Sequence, residues 1–366
     1  MILKNKINIY TEDNHALKKD WLHFLIHPIK SFWGDGTLDW DNHKQDFIFF
    51  KSYFTITKDI KKADVAFLPL TLNYYIKNKN LFQAKNFINL VKNYNLKSYI
   101  WVDGDNQFRF MNNNEDCVFI KYFGYSSNPH KNELIKPGDL KYDLLKFYFN
   151  GQIKIKTKSK IPRVGFDGLA NYPKFSLLRL ILKNITLKTL FNLYLTRIET
   201  DHIFPYLIKR NKILTYLEKS SIIDTNFKKR NIWAEGTVGN NSNSRNEFLN
   251  NILSSDYSLC YRGAANYSLR FYETLCLGKI PLLIDTDCKL PFENLVNWKE
   301  ICLFVKESDL RYIPELIVDF HNSHNKNQFI QKQIYCREIW VKYLSKKGFY
   351  KLFFEKLKSN LMEHEA

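Results

Sequence analysis

Between Tyr257 and Phe292 the chain reads YSLCYRGAANYSLRFYETLCLGKIPLLIDTDCKLPF. Arg262 ends an apolar run, and Arg270 and Glu273 follow close behind it. Guanidinium groups grip phosphate oxygens through parallel hydrogen bonds. Free N–H groups at a helix start favour an anion at the same point. Arg262 and Arg270 therefore suit a diphosphate held without a metal ion. Glu273, one turn deeper, would repel phosphate but could accept hydrogen bonds from ribose hydroxyls. Gly263, Tyr267 and Ser268 complete the candidate nucleotide-binding set, and the small Gly263, Ala264 and Ala265 leave room for close backbone approach. The competing reading is an ordinary Arg270–Glu273 surface pair, worth only about 0.2–0.5 kcal/mol.

These residues need a strand, a turn and a helix to position them. Tyr257–Tyr261 reads as the strand, and Ser268 as an N-cap whose hydroxyl accepts from a backbone N–H. Leu269, Tyr272, Leu275 and Cys276 fall on one face at helical spacing, so that face should be buried. Gly278 supplies the stop, because glycine tolerates the left-handed conformation that ends helices. The apolar run Ile280–Ile284 is the next strand.

The rest of the chain alternates in the same way. Strands are expected at Ile7–Tyr10, Phe47–Ile56, Val65–Leu68, Ser98–Val102 and Val118–Tyr122, with a helix near Leu81–Tyr94. A second series runs through the strand Ile161–Phe166, a helix near Ile203–Lys219, the strand Ser221–Asn226 and a helix near Arg245–Leu253. Further helices are expected near Ser308–Phe320 and Gln328–Leu344. Such alternation predicts an α/β fold with mainly parallel sheets. The polar stretch Gly151–Lys160 is the candidate linker. It divides residues 1–152 from 161–338, two Rossmann-like domains. Residues 339–366 form a basic helix that could cross back to the first domain. Ligands of such folds bind at the carboxyl ends of the strands, so a site is expected in the cleft between the sheets.

The central stretch resembles the exostosin-like glycosyltransferases, in the order and spacing of Arg262-Gly263, Ser268-Leu269-Arg270-Phe271-Tyr272-Glu273, Gly278-Lys279-Ile280-Pro281 and Leu290-Pro291-Phe292. Asn297-Trp298 and the strand Ile301–Val305 extend the likeness, with fainter echoes at Ala63–Pro69 and Ile161–Phe166. The resemblance implies a GT-B architecture, two Rossmann-like domains facing across a cleft. It also implies inverting, metal-independent transfer of a sugar from a nucleotide-diphosphate donor, UDP-sugar favoured, with no cofactor beyond that co-substrate. The divergent N-terminal half does not carry over the heparan-type acceptors of animal members. A bacterial surface glycan, capsule or lipopolysaccharide, is the expected acceptor. A fucosyltransferase-like enzyme using a GDP-sugar and a non-catalytic glycan- or membrane-binding protein of the same fold are the alternatives.

Inverting transfer also needs a general base beside the acceptor hydroxyl. Asp103 and Asp105 in WVDGDN follow an apolar strand, although Asp-Gly-Asp is equally common turn chemistry. Asp35 in FWGDGTLDW has flanking aromatics suited to stacking on sugar rings, and Asp13 and His15 are a third option. The sequence does not choose among them.

The 366 residues suit two domains, and 45% hydrophobic residues are enough for two cores. A net charge of 55 − 37 = +18 attracts anions at long range. No zinc-finger, RNP or helix-turn-helix signature supports nucleic acid. The segment Ser176–Ile198 is apolar and carries only basic charges, which excludes a spanning helix. It fits either an interfacial helix on an anionic membrane or a core-facing helix pair. Cys117, Cys260, Cys276, Cys288, Cys302 and Cys336 show no metal spacing and behave as small hydrophobes in a reducing compartment. A glycan on the sequon Asn266-Tyr267-Ser268 would block the donor loop, and no signal peptide is apparent, so a bacterial cytoplasm with peripheral membrane contact is expected.

Overall fold

In the computed structural model, residues 6–15, 29, 40–105, 107–108, 110, 116–127, 132–140, 142–170, 173–199, 203–231 and 242–365 are described. The first sheet contains β1 (Ile7–Tyr10), β2 (Phe54–Thr57), β3 (Val65–Phe67), β4 (Ser98–Trp101), β6 (Cys117–Lys121) and β7 (Glu133–Ile135) in the order β2-β1-β3-β4-β6-β7, every pair parallel. The second contains β8 (Arg163–Leu169), β10 (Asp224–Arg230), β11 (Tyr257–Cys260), β12 (Ile280–Asp285) and β13 (Leu303–Lys306) in the order β10-β8-β11-β12-β13, again all parallel. A small antiparallel ribbon joins β5 (Gln107–Phe108) to β9 (Ile198–Glu199). The helices used below are α1 (Trp40–Lys51), α2 (Leu81–Asn93), α3 (Lys174–Asn192), α4 (Tyr206–Glu218), α5 (Ser242–Ser254), α6 (Leu269–Cys276), α7 (Ile313–Asn322), α8 (Lys326–Ile339) and α9 (Lys346–Glu365). The expected α/β fold with two parallel sheets is what forms.

Parallel strands covered on both faces are apolar throughout, and all four residues of β4 and of β11 are buried. One face of the first sheet packs on α2 through Phe87, Ile88 and Val91. The other receives Phe349, Tyr350, Phe353, Phe354 and Leu357 of α9, so the chain's last helix completes the core of its first sheet. Each such buried ring contributes about 2–3 kcal/mol. Residues 152–159 run extended along α8, where the buried Gln333 accepts from Lys156 N at 3.0 Å and donates to Lys156 O at 2.8 Å.

Several expectations are corrected. Phe47 to Lys51 is the end of α1, and only Phe54–Thr57 is strand. The helix turns Phe50 inward, edge-on to Tyr350 at 5.0 Å, and leaves Ile48 64% exposed. The β-preferring run thus yields to ring packing. The strand expected at Ser221–Asn226 lies at Asp224–Arg230, because its parallel register pairs Asp224 with Arg163 and Arg230 with Leu169. Segment Ser176–Ile198 forms one long helix and β9 rather than a helix pair. Ser268 occupies the N-cap of α6 without a side-chain hydrogen bond. Gly278 stops α6 as expected: at φ +65° it lets Gly278 N reach Leu275 O and Lys279 N reach Thr274 O, both bonds of a Schellman cap. Burial covers every residue from Phe271 to Cys276 rather than one face, since α6 lies between its sheet and neighbouring helices.

Candidate functional site

The segments leaving the carboxyl ends of the two sheets touch one another, and beside them lies a small cavity of about 10 Å³ lined by residues that include Arg262, Asn266, Tyr267, Ser268 and Tyr272. The bolts are backbone and amide groups. Tyr125 bridges Cys288, and Ser127 N donates to Asp287 Oδ1 at 3.0 Å. Asn266, fully buried, donates to the carbonyls of Gly124, Thr286 and Asp287 at 3.1–3.2 Å and accepts from Thr286 Oγ1 at 2.6 Å. A glycan on that amide would replace one of its two N–H donors and has no room at this fully buried position. Gly138 lies against α6 so closely that a Cβ there would sit 2.8 Å from the Tyr272 ring.

From the first sheet come Asp103 and Asp105 after β4, Tyr122 and Tyr125 after β6, and Lys136 and Asp139 after β7. Asn73 clamps the Asp103 backbone, donating to its carbonyl at 2.5 Å and accepting from its N–H at 2.8 Å. Lys136 Nζ donates to Asp139 at 2.6 Å and to Tyr122 Oη at 3.1 Å, and Tyr122 donates to the same carboxylate at 2.6 Å. Burial pushes the Asp103 carboxyl above the ordinary range, partly offset by Lys136. Asp105 is open to solvent, yet desolvation by the protein around it raises its carboxyl too, against the opposing pull of Arg262. The two sheets therefore bring Asp105 and Arg262 into one electrostatic environment. Tyr267 completes this side, with its ring 6.0 Å from that of Tyr122 and nearly parallel. Burial, with Asp105, Asp139 and Asp103 nearby, pushes its hydroxyl up to about 12.

Arg262 is 3% exposed, and its guanidinium donates to Tyr125 Oη at 3.3 Å and to Ala264 O at 3.2 Å. Gly263 closes the turn by donating to Tyr267 O at 2.8 Å. Behind this loop Arg270 reaches the carboxyl ends of β8 and β11, donating to Asp167 O and, at 3.3 Å, to Leu259 O. Its guanidinium lies 4.1 Å above the Phe166 ring. Arg210, from α4, donates to Leu169 O at 2.9 Å and to Arg262 O at 2.7 Å, and stands 5.7 Å from the same ring. The hydrogen bonds of Arg210 and Arg270 thus go to carbonyls. Burial lowers both guanidinium pKa values, Arg210 to about 10, and the Arg270 charge lowers that of Arg210 further. Two repelling cations among carbonyl groups make a place where an anion is stabilised.

Glu273 is buried and accepts from Arg245 of α5 at 2.8 Å, so its partner comes from another helix rather than from Arg270. Asp167 is paired by Arg230, which also reaches Glu247 at 3.1 Å. Asp35 lies outside the described residues. Asp13 pairs with Lys58 at 2.9 Å on the surface. His15 is held at both ring nitrogens, by Tyr75 Oη at 2.6 Å and Glu12 at 2.7 Å, with a pKa lowered by burial. It reads as an internal prop. Arg210, Tyr122, Tyr125, Lys136 and Asp139 escaped sequence reasoning. The turn Lys136-Pro137-Gly138-Asp139 after an apolar run was the available signal for two of them.

Residues 210–319 match the Exostosin GT47 domain model. A stretch of 70 residues is 36% identical to a probable glucuronoxylan glucuronosyltransferase of Arabidopsis thaliana, covering 19% of this chain and 15% of that protein. Over 79 residues it is 34% identical to the exostosin-1 homolog of Caenorhabditis elegans, covering 22% and 21% respectively. The chain thus spans between 15% and 21% of the length of these two relatives. A solved glycosyltransferase from Rickettsia africae aligns over 97% of this chain and 98% of its own, at 10% identity and a TM-score of 0.37. Arg210, Arg262, Arg270 and Glu273 all lie within the segment that matches the exostosin GT47 domain model.

Proposed function

We propose that this chain is an inverting glycosyltransferase that moves a sugar from a nucleotide-diphosphate donor, UDP-sugar favoured, to a hydroxyl of a bacterial surface glycan. What supports this reading is the electrostatic coupling of Asp105, beyond the first sheet, to Arg262, beyond the second, where the guanidinium opposes the rise of the carboxyl pKa. In the proposed reaction Asp105 takes the acceptor hydroxyl proton as the oxygen attacks the anomeric carbon, with Asp103 behind it. The bond to the diphosphate breaks on the opposite face, and the leaving charge develops against Arg262 and the Arg210–Arg270 pair. Gly263, Tyr267 and Ser268 line the donor, and Glu273, steadied by Arg245, accepts from the ribose. The arginines supply the positive charge, so turnover should persist in chelator. The acceptor's lipid-linked form would be met by peripheral contact with an anionic membrane on its cytoplasmic side.

A thermal-shift screen against UDP-, GDP-, CMP- and dTDP-sugars comes first, because a bound donor stabilises the fold by mass action. The Asp105→Asn variant should then bind donor as well as the wild type and lose about 10²–10⁴-fold in kcat. Wild-type kcat should fall as pH drops through the raised Asp105 pKa. Full turnover by Asp105→Asn would remove this carboxylate from the reaction.

A further inference from the structure

Helix α3 carries an apolar stripe that faces solvent. Phe175, Leu178, Leu182 and Ile185 are 74%, 55%, 56% and 42% exposed, and their three- and four-residue spacing sets them in one line. Leu193, Tyr194 and Leu195 continue it beyond the helix at 61%, 79% and 71% exposure. The opposite side turns inward, where Asn184 Nδ2 donates to Ile203 O at 3.2 Å. Between Pro173 and Ile198 the chain carries Lys174, Arg179, Lys183, Lys188 and Arg197 and no acidic residue. With 3.6 residues per turn, Arg179 and Lys183 flank the stripe on one edge and Lys188 on the other. Long basic side chains beside an apolar seam let the rings and methyls enter a lipid surface while the charges stay at the headgroups. Among the described residues no helix is long and apolar enough to cross a membrane, so α3 would lie along the surface. A second copy of the chain meets this face with like charge, which disfavours self-pairing.

We propose that α3 and Leu193–Leu195 dock the chain on an anionic lipid bilayer. The β9 strand that ends this arm pairs Ile198 with Phe108 and Glu199 with Gln107, just beyond Asp105. The docked arm therefore holds the Asp105 segment beside the lipid surface. This deepens the acceptor reading and rests on it only for the purpose of docking: a sugar acceptor anchored in the bilayer would reach the cleft without leaving the membrane.

The full chain should sediment with vesicles of phosphatidylcholine and phosphatidylglycerol, much less with phosphatidylcholine alone, and be released by salt. Arg179→Gln/Lys183→Gln/Lys188→Gln should weaken the anionic binding on the order of hundredfold. Leu178→Ser/Leu182→Ser should weaken it comparably, and both variants should keep the wild-type melting temperature and UDP affinity. Equal sedimentation with neutral vesicles, sedimentation with neither, or unchanged binding by both variants overturns the proposal. So does a dimer in light scattering that both variants abolish while vesicles stay unbound. Failure here leaves UDP binding at Arg262 intact, whereas loss of the donor reading leaves vesicle binding intact.

Discussion

Replacing Arg262 by glutamine separates a phosphate-binding arginine from a structural one. Its contacts include a 3.3 Å bond to Tyr125 Oη and a 3.2 Å bond to Ala264 O. Both are long bonds to neutral acceptors, worth about 1 kcal/mol each at most. Removing a cation that is 3% exposed offsets part of that loss. The thermal melt reads whatever these and its other contacts contribute, at about 1 °C per kcal/mol for a chain of this size. Binding should respond very differently. Two charge-assisted bonds to phosphate at about 1.5–3 kcal/mol each sum to about 3–6 kcal/mol, or roughly 10²–10⁴-fold in Kd. Calorimetric titration with UDP and UDP-sugars reads the second quantity and a thermal melt the first. Unchanged affinity together with a Tm several degrees lower would refute the reasoning, because Arg262 would then be a bolt between the sheets.

Two further substitutions test the packing that holds the cleft. Lys279 is buried, and burial, reinforced by Lys156 and opposed by Asp256, lowers its pKa from the ordinary 10.5 to about 8. That drop corresponds to about 3 kcal/mol at 1.36 kcal/mol per pH unit. Lys279→Met should gain this at pH 7, less the bonds to Lys154 O and Gln333 Oε1, for a net gain of about 1–2 kcal/mol. The unfolded chain keeps a proton that the folded chain has lost between about pH 8 and 10.5, so wild-type stability should rise across that window and the variant's advantage should shrink. A variant less stable than wild type in urea at pH 7 would contradict this. Phe354→Ala removes a ring packed 5.1 Å from Phe54 and 5.6 Å from Tyr53. It should cost about 3–5 kcal/mol in urea unfolding, and a cost under about 1 kcal/mol would show that α9 does not support the first sheet.

How much was legible follows from the range of each signal. Caps, apolar runs and turns act over a few residues, so β4, β11, β12, α2 and the Gly278 stop could be placed from neighbouring residue types. The polar edge strand β10 and the aromatic α1 could not, because register with β8 and packing on α9 set them. The strand–turn–helix placement of Arg262 and Arg270 was similarly local, lying in the spacing of one unit. Their partners were not. Glu273 meets Arg245, and Arg210 joins Arg270 over Phe166, through contacts between elements whose separation no short-range pattern encodes.

By itself, then, the sequence determined two alternating α/β series and the exostosin-like strand–turn–helix–strand unit. Only the tertiary structure decided that Asp105 comes within electrostatic reach of Arg262, that α9 closes the first core and that α3 leaves its apolar stripe in solvent. The physical reason is the same in each case. Propensity and capping act along the chain, whereas burial and charge pairing act across space, once strand register and helix docking have brought distant segments together.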